Sequence, residues 1–162
     1  MRYDERIEDV AHELGLRLAE RGMRLAAAES CTGGWLAKAV TDTAGSSAWF
    51  ERGFVTYSNE AKQDMLGVHE ATLSHHGAVS EAAVREMAEG ALANSRADIG
   101  VSISGIAGPG GATPGKPVGT VWMAWARRDG ETLARGFVFE GDREAVRAQA
   151  VIAACAGLLD LL

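Results

Sequence analysis

Five residues, Arg24-Leu25-Ala26-Ala27-Ala28, stand between Gly22 and the paired glycines Gly33-Gly34. A run this short does not make a stable helix, and its apolar character suits a strand buried on both faces of a sheet covered by helices. The strand delivers Glu29-Ser30-Cys31-Thr32 onto flexible backbone at its C-terminal end, the edge of an open α/β sheet where sites are built. Before it, Ile7, Val10, Ala11, Leu14 and Leu18 recur at helical spacing, with Gly22 as C-cap. After it, Trp35 to Val40 predicts a second helix, whose free amides would face Ser30 to Gly34 and suit an anion or oxyanion.

Downstream, Gly53 to Tyr57 predicts a strand, and Ser58 or Asn59 caps a short helix carrying Ala61, Met65 and Leu66. Ser80 caps a helix through Val84, Met87, Ala91 and Leu92, and Ile99 to Ser104 returns as a strand. Gly105 to Pro117 contains all 3 prolines and repeated glycines, so it is loop. Val118 to Ala126 and Thr132 to Glu140 predict a hairpin turning at Arg128-Asp129-Gly130. Asp142 caps a last helix, with Val146, Ala150, Ile152 or Ala153, and Leu158 toward the core. Helices alternate with strands early and a hairpin comes late. The fold class this predicts is α/β: a single three-layer α/β/α domain over residues 1–162 with a mixed sheet.

A chain of 162 residues can bury a sizeable core. Its formal charge of −6 and the absence of a basic, aromatic-interleaved patch argue against nucleic acid as a partner. No stretch approaches the ~20 apolar residues of a membrane span and no signal region opens the chain, so neither membrane insertion nor export is expected. Two cysteines make no disulfide framework, which fits a cytoplasmic protein. The exposed edge of the hairpin predicts a homo-oligomer, with a dimer expected.

A serine hydroxyl is a weak nucleophile until a base takes its proton. His12, His69, His75 and His76 lie in the first helix or the polar stretch before Ser80, away from strand ends, and read as surface residues. Lys62 is the better candidate, four residues after Ser58 in the helix that follows the strand ending at Tyr57. A Ser30–Lys62 dyad is geometrically reasonable, and Tyr57 at the same strand end can relay a proton or position the amine.

Plainer roles stand beside each of these: Ser30 as a helix cap, Lys62 as a solvated lysine, and the glycine-rich loop as a structural turn. Cys31 is a rival nucleophile, its pKa lowered by the following helix, or a small buried hydrophobe. Cys155 reads as core. Arg143 and Arg147 near the start of the last helix suit a ligand phosphate or bulk solvent. The tryptophans suit stacking on a planar ring or, more simply, the core. No Cys, His and carboxylate spacing suggests a metal site.

Six segments occur in order: Ala28 to Gly34, Gly45-Ser46-Ser47, Tyr57 to Lys62, Gly77 to Ser80, Ser104 to Pro109, and Lys116 to Val121. Together they resemble the CinA C-terminal domain family over nearly the whole chain. That family includes nicotinamide-nucleotide amidohydrolases, which convert nicotinamide mononucleotide to nicotinate mononucleotide and ammonia in pyridine-nucleotide recycling. The resemblance implies the stand-alone form, without the pyrophosphatase-like domain of longer members. It makes Ser30 the nucleophile, Lys62 its base and Tyr57 an assistant. It also implies nucleotide contacts at Thr32, Gly33, Gly34, Asn59, Ser104, Gly105, Ala107, Gly108 and Arg143, a small-molecule nucleotide as the partner, and no metal or organic cofactor. Two other classes fit the same residues: a non-catalytic nucleotide-binding module, and a magnesium-dependent phosphohydrolase using Glu140 and Asp142.

Overall fold

The computed structural model describes residues 2–162. Helix α1 spans Tyr3–Arg21, strand β1 Leu25–Glu29 and helix α2 Trp35–Thr41. A 3₁₀ turn at Ser46–Ala48 leads to β2 (Phe50–Val55), followed by α3 (Asn59–Leu66), α4 (Glu70–His76) and α5 (Glu81–Ala93). The second half holds β3 (Ile99–Gly105), β4 (Thr120–Arg127), β5 (Thr132–Val138) and α6 (Arg143–Asp160).

The five strands form one sheet in the order β2-β1-β3-β4-β5. β1 runs parallel to both β2 and β3, whereas β4 is antiparallel to β3 and to β5. This is the predicted mixed sheet. Every residue of β1 is buried, as expected of a strand packed on both faces. Leu25 and Ala27 join Ile103, Val121, Met123 and Trp125 beneath α1, α2 and α6. Ala26 and Ala28 turn the other way, with Ala124 and Ala126, toward α5.

The α5 layer is built from small side chains, which lets backbones approach closely. Ala83, Ala88 and Ala91 of α5 meet that alanine surface, and Ser102 Oγ donates to the Val84 carbonyl at 2.6 Å. At Gly90 any Cβ would collide with the Leu66 carbonyl at the end of α3. Gly90 thereby sets how near α3 lies to α5, and α3 carries Lys62.

Several element boundaries differ from the sequence reading. β2 begins at Phe50 and ends at Val55, because Trp49 O already accepts from Leu25 N at 2.7 Å while Thr56 and Tyr57 turn their carbonyls toward α3. The hairpin strands start at Thr120 and stop at Val138. The turn closed by Thr120 N on Pro117 O holds Val118 out of the ladder. The stretch containing His75 and His76 forms α4, with only Leu73 buried; one buried side chain leaves no periodicity to detect. In α6 the buried face runs through Val146, Ala150, Val151, Ala154 and Leu158, with Ile152 and Ala153 on its flank.

Candidate active site

The parallel strands place the chain after β1, β2 and β3 at one edge of the sheet. The connection from β1 to β2 runs over one face through α2 and that from β2 to β3 over the other through α5, so a crevice opens at the carboxyl end of β1. Ser30 follows β1, Thr56 to Lys62 follow β2, and Ser104 to Ala107 end and follow β3. A cavity of about 230 Å³ sits where they meet.

Ser30 is locked to β3 by donation of its backbone N–H to Ile103 O at 3.0 Å. Across the crevice, Ser58 Oγ caps α3 by accepting from Ala61 N at 3.0 Å, and the next turn of the helix points Lys62 inward. Lys62 is 1% exposed. Its Nζ donates to Ser30 Oγ at 3.1 Å, to Thr56 O at 2.9 Å and to Tyr57 O at 3.4 Å. None of these partners is an anion. Burial therefore pushes the Lys62 amine below the ordinary lysine range, only partly opposed by the neighbouring Cys31.

Asn59, Ser104, Gly105, Ala107 and Arg143 also line the cavity. Arg143, at the start of α6, donates to Gly108 O at 2.9 Å and to Tyr57 Oη at 3.3 Å. Tyr57 thus touches Lys62 through its carbonyl while its hydroxyl faces Arg143. Arg143 supplies a positive charge to a lining that contains no carboxylate among the described residues. The lining also holds none of the four tryptophans.

Four predicted contacts are not in the lining: Gly108, whose carbonyl accepts from Arg143, and Thr32, Gly33 and Gly34. The Thr32 hydroxyl is fully buried and donates to Glu29 Oε1 at 2.6 Å. Gly33 and Gly34, at φ 58° and 101°, turn the chain into α2 and border a separate hollow with Arg147. The amides of α2 expected to hold an anion are occupied by the protein itself. Glu29 Oε1 accepts from Leu36 N at 2.9 Å and Oε2 from Ala37 N at 3.0 Å. The N-cap of α2 is Gly34, so Ser30 is not a cap.

This arrangement also corrects the reading of Cys31 as an activated thiol. Burial, the largest effect, pushes the Cys31 thiol up to about 11, against the opposing influence of its own backbone N–H, Arg147 and Lys62. Cys155 is buried in the core and pushed up to about 12. All four histidines are exposed.

Sequence reasoning missed four participants. Ala78 and Val79, between α4 and α5, form a wall of the cavity. Their segment Gly77-Ala78-Val79-Ser80 is one of the six motifs, which was the available signal. Thr56 contributes a backbone carbonyl, invisible in sequence. Glu29 is a charged residue ending an apolar strand, a contradiction that marked it.

A buried hydroxyl paired with a lysine lacking any counter-ion, at the carboxyl edge of a three-layer α/β sheet, is a site able to activate a nucleophile without a metal. The family model of the CinA C-terminal domain matches residues 7–162, and the chain belongs to that family. It is similar to the nicotinamide-nucleotide amidohydrolase PncC of Escherichia coli, 60% identical over 147 residues that cover 91% of this chain and 89% of that protein. The Pseudomonas putida protein of the same name is 51% identical, covering 96% of each. Among solved structures, the competence/damage inducible protein CihA from Agrobacterium tumefaciens superposes with a TM-score of 0.94 at 44% identity, covering 96% of this chain and 95% of that one. No helix among the described residues is long and apolar enough to cross a membrane.

Proposed function

We propose that this amidohydrolase cleaves the carboxamide of nicotinamide mononucleotide, with Ser30 as nucleophile and Lys62 as base. The observation that carries the reading is the set of three contacts at Lys62 Nζ. A neutral amine has two N–H groups and one lone pair. With Thr56 O and Tyr57 O accepting the two N–H groups, the lone pair faces Ser30, whose hydroxyl then donates to Nζ. Proton transfer along that bond leaves an alkoxide to attack the carboxamide carbon.

The N–H groups of Gly33, Trp35, Leu36 and Ala37 are already bonded within the loop; of the loop residues whose N–H is not so bonded, Cys31 alone lines the cavity, so the developing oxyanion is assigned to its N–H, that of the residue after the nucleophile. Protonated Lys62 then gives its proton to the leaving nitrogen, ammonia departs, and the amine activates the water that hydrolyses the acyl-enzyme. Arg143 and the Gly105 to Gly108 backbone hold the 5′-phosphate; Asn59, Ala78 and Val79 flank the ring and sugar. The scheme routes no step through a metal or organic cofactor. Returning nicotinate mononucleotide to dinucleotide synthesis places the reaction in pyridine-nucleotide recycling, and two free cysteines fit a reducing cytoplasm.

The test is ammonia release from nicotinamide mononucleotide by the wild type, Ser30→Ala and Lys62→Ala. Loss in both variants, with the fold intact by circular dichroism, is the expected result. Full activity in Ser30→Ala overturns the nucleophile assignment.

A further inference from the structure

The nucleophile is the residue after a buried carboxylate to which the reaction scheme assigns no role. Glu29 is 1% exposed, and a carboxylate so placed is costly unless its oxygens are bonded. Here they accept three donors: the Thr32 hydroxyl at 2.6 Å, Leu36 N at 2.9 Å and Ala37 N at 3.0 Å. Its main chain is held as well, since Thr56 N donates to Glu29 O at 2.9 Å. One side chain therefore ties the end of β1, the Ser30 to Gly34 loop and the first turn of α2 into a single unit.

Arg147 holds the same loop by its main chain: Nε donates to Cys31 O at 2.9 Å and a terminal nitrogen of its guanidinium to Thr32 O at 3.3 Å. The loop is thus held by both a carboxylate and a guanidinium. Neither touches the cavity.

We infer that Glu29 is a positioning residue for Ser30: its bonds to the Thr32 hydroxyl and the α2 amides hold the nucleophile loop in the geometry that aims Ser30 Oγ at Lys62 Nζ. This rests on Ser30 being the nucleophile. The loop ends in two left-handed glycines, Gly33 and Gly34, so without the carboxylate its backbone has other conformations within reach. Displacement of a nucleophile by about 1 Å is enough to cost on the order of 10²-fold in rate.

The experiment compares Glu29→Gln, Thr32→Val and Thr32→Ser with the wild type. Three readouts are taken on folded protein: kcat and KM for nicotinamide mononucleotide, the rate constant for Ser30 phosphonylation by a fluorophosphonate probe, and melting temperature. Glu29→Gln keeps the shape but turns an amide N–H toward one of the three donors. The expected result is kcat and the phosphonylation rate falling together by about tenfold or more, on the scale of such misplacements, with KM within about twofold; Thr32→Val behaves likewise and Thr32→Ser restores the rates.

Wild-type phosphonylation rates in Glu29→Gln, or a loss explained entirely by a smaller folded fraction, overturn the inference. So does Thr32→Ser as impaired as Thr32→Val. The probe reaction does not depend on the natural substrate, so its outcome is separable from failure of the amidohydrolase assignment. If wild-type Ser30 does not react with the probe while other serine labelling proceeds, the nucleophile reading itself fails.

Discussion

Lys62 Nζ lies 3.1 Å from Ser30 Oγ across 32 residues of sequence, and the lysine has carbonyls for its other partners in place of a carboxylate. A lysine paired with Asp or Glu would be held charged and useless as a base. Burial among neutral acceptors does the reverse, and with Lys62 as the proposed base the rate of reaction is expected to depend on pH.

kcat/KM for the amide substrate is expected to rise with pH along a single-proton limb whose midpoint lies below the ordinary lysine value of 10.5. The limb reports deprotonation of Lys62 in the free enzyme. Lys62→Ala should lower kcat by about 10²- to 10⁴-fold, the usual worth of general-base catalysis, and abolish the limb. A steady-state pH profile measures both; a midpoint in the ordinary lysine range would contradict this account.

Stability carries the same signature. Because the folded-state pKa of Lys62 is depressed, the unfolded chain binds more protons between that pKa and 10.5. Wild-type stability therefore gains with rising pH across this window, and the full cost of burying the charged amine applies below it. In Lys62→Met this contribution is absent. The melting temperature of the variant relative to wild type should be most favourable at the low-pH side and decline as pH rises; scanning calorimetry over the neutral to alkaline range checks the slope.

Cys31 is expected to be dispensable. A buried thiol pushed up to about 11 holds little thiolate near neutrality. Cys31→Ala should keep kcat within about threefold, while its small cavity costs about 1 kcal/mol, near the low end for core truncation. Iodoacetamide should label neither cysteine of the native protein near neutral pH and both after unfolding, read by intact mass.

Arg143→Ala should raise KM by about 10- to 100-fold with a smaller change in kcat, the size of a lost charge-assisted hydrogen bond to an anion. Tyr57→Phe removes only the 3.3 Å contact to the guanidinium and leaves the Tyr57 carbonyl on Lys62, so its effect on KM should be the lesser. Steady-state kinetics on both variants separates them, and an unchanged KM in Arg143→Ala would remove Arg143 from phosphate binding.

Gly90→Ala tests the link between packing and site. In an exposed helix this change stabilises by up to about 1 kcal/mol. Here the new Cβ meets the Leu66 carbonyl of α3, backbone that cannot swing aside. It should destabilise by about 1–3 kcal/mol, the range for overpacked cores, and lower kcat by displacing the helix that carries Lys62. Denaturant titration and kcat measure the two effects.

Much of this was legible before folding. The apolar run ahead of Ser30 marked β1, Gly22 marked the end of α1 and adopts φ 62° with its amide on Ala19 O and Leu18 O, and Ser58, Ser80 and Asp142 each cap the helix that follows them. These are local events, governed by a few residues and their backbone preferences. α4 was not legible, because a single buried Leu73 makes no pattern. Nor was the hydroxyl of Thr32, which the motif assigned to ligand and the fold turns inward to Glu29.

Read alone, the chain determined the alternation of helices and strands and the strand end that presents Ser30, and it offered Lys62 as the better candidate base, since all of these depend on short-range periodicity and turn chemistry. Tertiary structure decided which side chains share one low-dielectric space. It left Lys62 without an anion, and it gave the α2 amides to Glu29 in place of a ligand. It also kept Cys31 a thiol. Burial and electrostatic pairing depend on neighbours remote in sequence, so the surroundings of the Ala28 to Gly34 side chains were decided by what folds against them.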